Sequence, residues 1–370
     1  MTDFVLEARD VSYSYSQKQP RPSLDGVSLG IRRGARTAIL GANGAGKSTL
    51  FYHLNGVYRP KSGTVLYEGE PLDYGKPALR TLRSEVCVVV QNPDEQIFSS
   101  TVEEDIAFGL LNAGMERDEI ERRIVESLFL VGMEGYRTRP STQLSYGQRK
   151  RIAFAGALAL RPKVLILDEP TAGLDPQMSL EVIEMVDQLV ESGTSVVIST
   201  HDVDLAYTWA EDIHVIRGGR LEYSGSPDGF FSDSARAFSC GLKRPTPSVV
   251  DASLRPGSAM RPRTNAQLLA SLAPEGAAFG KVTVVPVSDG FDASAASVPE
   301  GTPIGICGSR TRRAFASGGL RVDHAFNAVD GCMADAVRGR DSVLFCDEEM
   351  VGFARRAGRA VEAFGKGAVM

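Results

Sequence analysis

The sequence predicts an α/β fold in two domains, a larger one built on a buried parallel sheet and a smaller α/β domain after it. Three observations carry this expectation. Compact apolar runs, KVLILD (Lys163 to Asp168) and SVVIST (Ser195 to Thr200), are too short for helices and alternate with helical patterns, as strands buried on both faces do. The glycine-rich stretch GANGAGKST (Gly41 to Thr49) falls between a strand pattern and a helical one. After Phe238 the texture changes: Pro245, Pro247, Pro256 and Pro262 occur among Ser and Arg residues before a strand–helix rhythm resumes on a smaller scale.

In chain order, Phe4 to Arg9, Val27 to Ile31, Arg36 to Leu40 and Gly63 to Tyr67 read as short strands bounded by turn residues. Ile120, Ile124, Leu128 and Val131 recur at spacings of four, four and three and predict a helix with one apolar face. Leu180, Ile183, Val186 and Leu189 predict another, closing at Gly193. In the smaller domain, Lys281 to Val287, Pro303 to Gly308 and Ser342 to Asp347 are strand candidates, and 310–316, 328–337 and 348–364 are helix candidates. The expected organisation is a first domain over 1–240, a Pro/Arg-rich linker or arm over 241–276 and a small α/β domain over 277–370.

Composition narrows the function classes. The chain has 370 residues, 43% hydrophobic and 24% charged, the balance of a globular protein with room for a sizeable core. A net charge of -5 argues against a general nucleic-acid binder, although local dipoles can still hold small anions. The five cysteines form no C-x-x-C pair, which reads as reduced thiols of a cytosolic protein. The N-terminal stretch MTDFVLEARD lacks a signal-peptide pattern, and no apolar stretch is long enough to span a bilayer, so a membrane role is expected to be peripheral.

The stretch Gly41 to Thr49 fits G-x-x-x-x-G-K-[ST] in full. Glycines let the backbone curl so that successive N–H groups face phosphate oxygens, and the following helix adds its positive end. Lys47 brings a point charge to the β/γ-phosphates, and Ser48 can ligate Mg²⁺. KVLILDEP delivers Asp168 and Glu169 at the C-terminal end of a strand, the edge where open α/β sheets bind ligands. Asp168 suits the Mg²⁺ shell. Glu169, one residue on in extended backbone, is expected to face the other way and polarise the attacking water.

QLSYGQRKR (Gln143 to Arg151), with the loop upstream and the Asp-Glu pair downstream, resembles the LSGGQ-type motif of ABC-transporter ATPases. The resemblance covers roughly the first 240 residues. It implies a mixed sheet core with antiparallel β and α-helical subdomains, ATP and Mg²⁺ as cofactors, and two chains that sandwich two ATP molecules. Ser145, Gly147 and Gln148 would then close on the nucleotide of the facing subunit; Tyr146 stands where the commonest form has Gly. VSYSY resembles the loop whose aromatic side chain stacks on adenine, with Tyr15 favoured over Tyr13. AGLDP resembles the D-loop, with Asp175 communicating across the dimer. STHD resembles the H-loop, with His201 contacting the γ-phosphate and holding water and Glu169 in line. The implied ATP-binding set is Tyr15, Gly41, Asn43, Gly44, Ala45, Gly46, Lys47, Ser48, Thr49, Ser145, Gly147, Gln148 and Asp175. Glu169, His201, Lys47 and Gln91 are the implied catalytic residues, and Ser48, Gln91 and Asp168 the Mg²⁺ ligands.

QNPDEQIF (Gln91 to Phe98), continued by TVEEDIAFGLLN, is similar to the Q-loop of energy-coupling-factor ATPases, which serve micronutrient importers. The likeness implies a transmembrane subunit docking near Gln91–Phe98, a separate substrate-binding membrane subunit and a position on the cytoplasmic face of the membrane. The long coiled-coil insertion of the DNA-repair type and the tandem ATPase domains of the translation-associated type are missing. HDVDLAYTWAEDIHVIRGGRLEYSGSP (His201 to Pro227) looks most like the cobalt and nickel branch, making cobalt the expected cargo with nickel or a vitamin as alternatives. Intact nucleotide elements lean toward a homodimer. In the smaller domain, GICGSRTRRAF (Gly305 to Phe315) reads as either an anion-binding turn or a solvated basic helix face. Cys307, Cys332 and Cys346 with His324 make a candidate soft-metal sensor, and a regulatory or dimer-stabilising role is expected of the domain.

Overall fold

The computed structural model describes residues 3–16, 21–257, 261–316, 320–365 and 369–370. Two compact units emerge, one of Met1–Leu174 with Gly193–Arg244 and one of Asp175–Ser192 with Pro245–Met370.

In the first unit the chain runs β1 (Phe4–Tyr13), β2 (Leu24–Arg32), β3 (Arg36–Leu40), α1 (Lys47–Leu54), β4 (Ser62–Tyr67), β5 (Glu70–Pro71), α2 (Lys76–Glu85) and β6 (Val86–Val89). It continues through α3 (Val102–Ala113), α4 (Arg117–Leu130), α5 (Tyr146–Ala159) and β7 (Val164–Asp168). After α6 (Pro176–Glu191), which groups with the second unit, come β8 (Ser195–Thr200), α7 (Val203–Trp209), β9 (Asp212–Arg217), β10 (Arg220–Gly225), α8 (Pro227–Phe231) and α9 (Ser234–Ser239).

A six-stranded sheet has the order β10-β9-β3-β8-β7-β6, parallel throughout except for the β9–β10 hairpin. Every residue of β3, β7 and β8 is buried, which is why these segments carry consecutive apolar residues (Ala38–Leu40, Val164–Leu167, Val196–Ile198) rather than an alternating pattern. A second, antiparallel sheet of order β2-β1-β4-β5 shares a core with α1, where Leu50, Phe51 and Leu54 meet Val5, Leu24 and Ile31. Helices α3 and α4 both pack on α5. Ile120, Ile124 and Leu128 are buried on α4, as their spacing predicts, together with Ser127. Capping boxes fix the starts of α3 (Thr101 with Glu104) and α5 (Ser145 with Gln148). The mixed sheet, the antiparallel β layer and the helical layer are the architecture the sequence implies.

The second unit adds α10 (Thr246–Leu254), α11 (Asn265–Leu272), β11 (Val282–Val287), β12 (Ile304–Cys307), α12 (Ser309–Ala316), α13 (Ala328–Val337), β13 (Ser342–Asp347) and α14 (Val351–Glu362). Its three strands are parallel in the order β11-β13-β12. Cys332, Met333, Cys346 and Val361 pack in one core cluster and Ile306, Phe315 and Phe345 in another. An extra C-terminal α/β region is therefore present. The stretch expected as a linker or arm carries α10 and α11, and Ala266 and Ala270 of α11 belong to the first of these clusters.

The single apolar face expected of α6 is corrected by the structure. Val182, Val186, Asp187 and Val190 are the buried positions, while Leu180 is 42% exposed. Part of the polar surface of α6 is bound within its own unit. Glu184 accepts from Gly308 N–H at 2.5 Å and pairs with Arg312; Gln188 donates to Asp347 at 3.0 Å; Glu191 pairs with Arg356. A helix engaged through polar side chains as well as apolar ones has no single stripe for a periodicity to find.

Candidate functional site

The loop after β3 curls as its sequence requires. Gly44 and Gly46 have φ of 77° and 111°, in the left-handed region that a side chain would strain. A Cβ on Gly46 would also lie 2.5 Å from the Ser23 carbonyl oxygen. Ala45 is buried, whereas Asn43 and Gly44 are exposed at the loop tip. Lys47 is buried, and its Nζ donates to the Gly41 carbonyl at 2.7 Å. Thr49 Oγ1 lies 3.0 Å from the Tyr15 hydroxyl. The helix begins at Lys47 without a side-chain cap on Gly46, so its first amides face the loop interior.

Strands β7 and β8 pair Asp168 with Ser199 in register. Ser199 donates to Asp168 Oδ1 at 2.5 Å, and its oxygen accepts from Glu169 N–H at 2.9 Å. Ser48 donates to the other Asp168 oxygen, Oδ2, at 2.5 Å. Asp168 and Ser48 thus meet with an oxygen each, the hard-donor set that suits Mg²⁺.

Glu169 is not extended, as the sequence reading had it. Its φ is 48°, a left-handed conformation that costs a non-glycine residue of order 1–3 kcal/mol unless its surroundings impose it. The turn directs the carboxylate toward His201, whose Nδ1 lies 2.9 Å from Oε2. Lys47 Nζ is 3.6 Å from Glu169 Oε1. That oxygen is buried and has no hydrogen-bond partner, an open acceptor suited to a water proton. The structure therefore gathers Lys47, Ser48, Asp168, Glu169 and His201 at the C-terminal edge of the sheet.

Two residues that sequence reasoning missed complete this cluster. Ser199 is visible only through strand register. Lys150 sits in the basic run RKR and looks solvent-facing, yet is 1% exposed. Its Nζ donates at 2.9 Å to the carbonyls of both Glu169 and Ala172. Burial lowers the Lys150 pKa to about 8, against the raising influence of Glu169 and Asp168.

The aromatic choice between Tyr13 and Tyr15 is sharpened by packing. The Tyr13 ring is stacked on Tyr58, with centroids 5.3 Å apart and planes 10° apart. Tyr15 meets both rings edge-on and is 56% exposed, which leaves it better placed to stack on a base.

Ser145, Gly147 and Gln148 stand at the start of α5, where Ser145 and Gln148 cap each other and Gln148 also donates to Tyr136. Because Ser145 Oγ acts as acceptor in the cap, its own proton remains for an anion. This helix is stapled to the loop after β6. Tyr146 donates to the Gln91 carbonyl at 3.3 Å, Arg149 pairs with Asp94 at 2.6 Å, and Gln96 donates to the Ala153 carbonyl at 3.4 Å. The Gln91 side chain is exposed. Phe98 is 66% exposed and meets Phe108 edge-on at 4.7 Å; Leu111, 62% exposed, lies on the same helix as Phe108. Asp175 caps α6, accepting from Met178 N–H at 2.8 Å.

In the second unit the turn after β12 is filled by the protein's own carboxylates. Asp347 accepts from Arg310 N–H, Thr311 N–H and the Thr311 hydroxyl, and Glu184 takes Gly308 N–H. Arg310 pairs with Asp289 and Glu349. Neither a solvated basic face nor a vacant anion turn describes it. Cys307, Cys332 and Cys346 are buried, and burial pushes the Cys332 and Cys346 thiols up to about 12. His324 is bonded to Asp335 at 2.7 Å. Among the described residues no group of three or more His, Cys, Asp or Glu could hold a metal ion.

The ABC transporter family model matches residues 24–172. The energy-coupling factor transporter ATP-binding protein EcfA of Methanothermobacter thermautotrophicus is 45% identical over 65% of this chain and 77% of its own length. EcfA2 of Methanospirillum hungatei is 36% identical over 94% of this chain and 90% of its own length, so that similarity extends through the second unit. Among solved structures, CbiO1 of Clostridium perfringens, part of the ABC transporter complex CbiONQ, aligns with a TM-score of 0.58 and 36% identity over 69% of this chain and 96% of that one. A cassette solved as a dimer in a post-hydrolysis state with ADP and Pi aligns with a TM-score of 0.56 and 27% identity over 61% of this chain and all of that one.

Proposed function

The chain belongs to the family of energy-coupling-factor ABC transporter ATP-binding proteins, and from that premise we propose that it powers uptake of a transition-metal ion, cobalt first, through ATP-driven closure of a head-to-tail homodimer. It is the ATP-hydrolysing type of subunit. The observation that carries the hydrolytic reading is the contact of Glu169 with His201 at 2.9 Å beside a buried, unbonded Glu169 oxygen. Glu169 and His201 orient the attacking water, while Lys47 and the amides of the loop from Gly41 to Thr49 take the charge of the γ-phosphate. Phosphoryl transfer depends on such positioning and charge neutralisation more than on covalent chemistry. Ser48, Asp168 and Gln91 would hold Mg²⁺, which supplies further neutralisation of the phosphates. Tyr15 stacks on adenine, and Ser145, Gly147 and Gln148 close on the nucleotide of the facing copy, with Asp175 at the dimer seam.

The apolar patch of Phe98, Phe108 and Leu111 beside the Gln91 loop is the proposed seat of the energy-coupling transmembrane subunit, which in turn joins a substrate-binding membrane subunit. Among the described residues no helix is long and apolar enough to cross a membrane, so the chain is proposed to sit peripherally on the cytoplasmic face. Cobalt is supported by the likeness of His201 to Pro227 to the cobalt and nickel branch and by the similarity to CbiO1. The C-terminal α/β region is proposed to regulate or stabilise the dimer.

Three experiments test the reading. Glu169→Gln protein is expected to bind ATP and dimerise but to turn over at least about a hundredfold more slowly, a loss of ~2.7 kcal/mol in transition-state stabilisation; unmutated turnover would remove the assignment. Cells lacking the chain are expected to lose cobalt accumulation. Unchanged cobalt with lost nickel, biotin or riboflavin uptake would reassign the cargo, and purification from membranes without a membrane partner would favour a non-transport ABC ATPase.

A further inference from the structure

We propose that Lys150 is a positioning residue for ATP hydrolysis, holding the turned backbone of Glu169 from the helix that carries Ser145 and Gly147. The inference rests on the reading of Glu169 as the residue that orients water. The left-handed φ of 48° at Glu169 has to be imposed from outside the residue, since no glycine is there to adopt it freely. Three contacts impose it. Ser199 Oγ takes the N–H of Glu169, Ala172 N–H returns to the Glu169 carbonyl at 3.1 Å, and Lys150 Nζ donates to that same carbonyl at 2.9 Å. A second bond from Lys150, to the Ala172 carbonyl at 2.9 Å, spans the turn and pins both of its ends.

Burial argues that these bonds are the purpose of the side chain. An ammonium group 1% exposed is expensive to desolvate, and an apolar side chain would fill the same space without that cost. What an apolar side chain cannot do is donate to two carbonyls at once. Lys150 lies in α5 five residues after Ser145, whose hydroxyl is read as reaching the facing copy's nucleotide. The same helix is also bonded to the Gln91 loop through Tyr146 and Arg149. A rigid helical turn thus links the residue that senses one nucleotide to the carboxylate that hydrolyses the other.

The test compares Lys150→Met, Lys150→Gln and Lys150→Arg in the full-length protein, with Glu169→Gln alongside. ATPase rates give kcat and KM, and a fluorescent ATP analogue reports affinity. Lys150→Met is expected to lower kcat about ten- to hundredfold, as a misplaced catalytic group does, while affinity changes less than about threefold. Lys150→Gln and Lys150→Arg keep N–H donors and are expected to recover most of the rate. Unmutated kcat in Lys150→Met overturns the proposal. So do parallel losses of kcat, affinity and thermal stability that neither donor-bearing variant restores. If Lys150→Met does not fold, Lys150→Ala, which also lacks a donor, takes its place: reduced kcat at unchanged affinity there supports the proposal and unmutated kcat overturns it. An inactive Glu169→Gln beside an unaffected Lys150→Met removes this inference alone; an active Glu169→Gln removes the reading beneath it.

Discussion

Removing the Ser199 hydroxyl probes the cluster at its most buried point. Ser199 is 0% exposed and serves two partners, donating to Asp168 Oδ1 at 2.5 Å and accepting from Glu169 N–H at 2.9 Å. In Ser199→Ala both partners remain buried. An unsatisfied buried donor or acceptor costs about 1–3 kcal/mol, and Asp168 keeps its bond from Ser48, so the expected loss is about 2–4 kcal/mol. The chain has a single tryptophan, Trp209, buried in the first unit. Its fluorescence therefore follows unfolding of that unit during a urea titration. With a slope of about 2–3 kcal/mol/M, the midpoint is expected to fall by about 1 M. The turn at Glu169 also loses one of its restraints, so kcat is expected to fall together with the midpoint. An unchanged midpoint with unchanged kcat would refute the reasoning, because the two bonds would then hold neither the fold nor Glu169.

Other outcomes are expected from the same physical picture. Phe98→Asp alters a side chain that is 66% exposed, so the urea midpoint is expected to move by less than about 0.5 kcal/mol equivalent; co-purification with a transmembrane subunit is expected to be lost, and a large stability loss would show that Phe98 serves local packing instead. His214 is 2% exposed, and burial lowers its pKa from 6.5 to about 4. The unfolded chain binds that proton first as pH falls, so stability is full above pH 6.5 and is lost progressively toward pH 4, by up to about 3 kcal/mol. His214→Leu is expected to flatten that part of the Trp209-monitored pH profile, and an unaltered slope would place the acid sensitivity elsewhere.

The legible parts of this molecule share a property: their signals are local. Val164 to Asp168 and Ser195 to Thr200 read as strands because burial on both faces favours consecutive apolar residues, Val164–Leu167 and Val196–Ile198. Gly44, Gly46 and Lys47 read as a phosphate loop because backbone curvature and charge are set within nine residues. The misreadings arise where one segment answers to another. Lys150 was passed over within the basic run RKR and is buried on two carbonyls. Glu169 looked extended and is turned, with Ser199 bonded to its N–H and Lys150 to its carbonyl. Leu180 looked like a core residue of α6 and is exposed, since Glu184, Gln188 and Glu191 engage the second unit's helices and strands by hydrogen bonds and ion pairs.

By itself, then, the sequence determined the α/β class and the glycine-rich loop, and it singled out Lys47, Ser48, Asp168, Glu169 and His201, the proposed chemical set, which the fold brings together. It also marked the stretch from Gln91 to Phe98 as the proposed docking place of a transmembrane subunit. Only the tertiary structure decided how the set is held. Strand register brings Ser199 opposite Asp168, helix packing brings Lys150 under Glu169, and the carboxylates of Glu184 and Asp347 fill the turn after β12. The physical reason is range. Propensity, periodicity and glycine curvature act over a few neighbouring residues, whereas a buried hydrogen bond joins donors and acceptors that the chain separates by 19 to 124 positions.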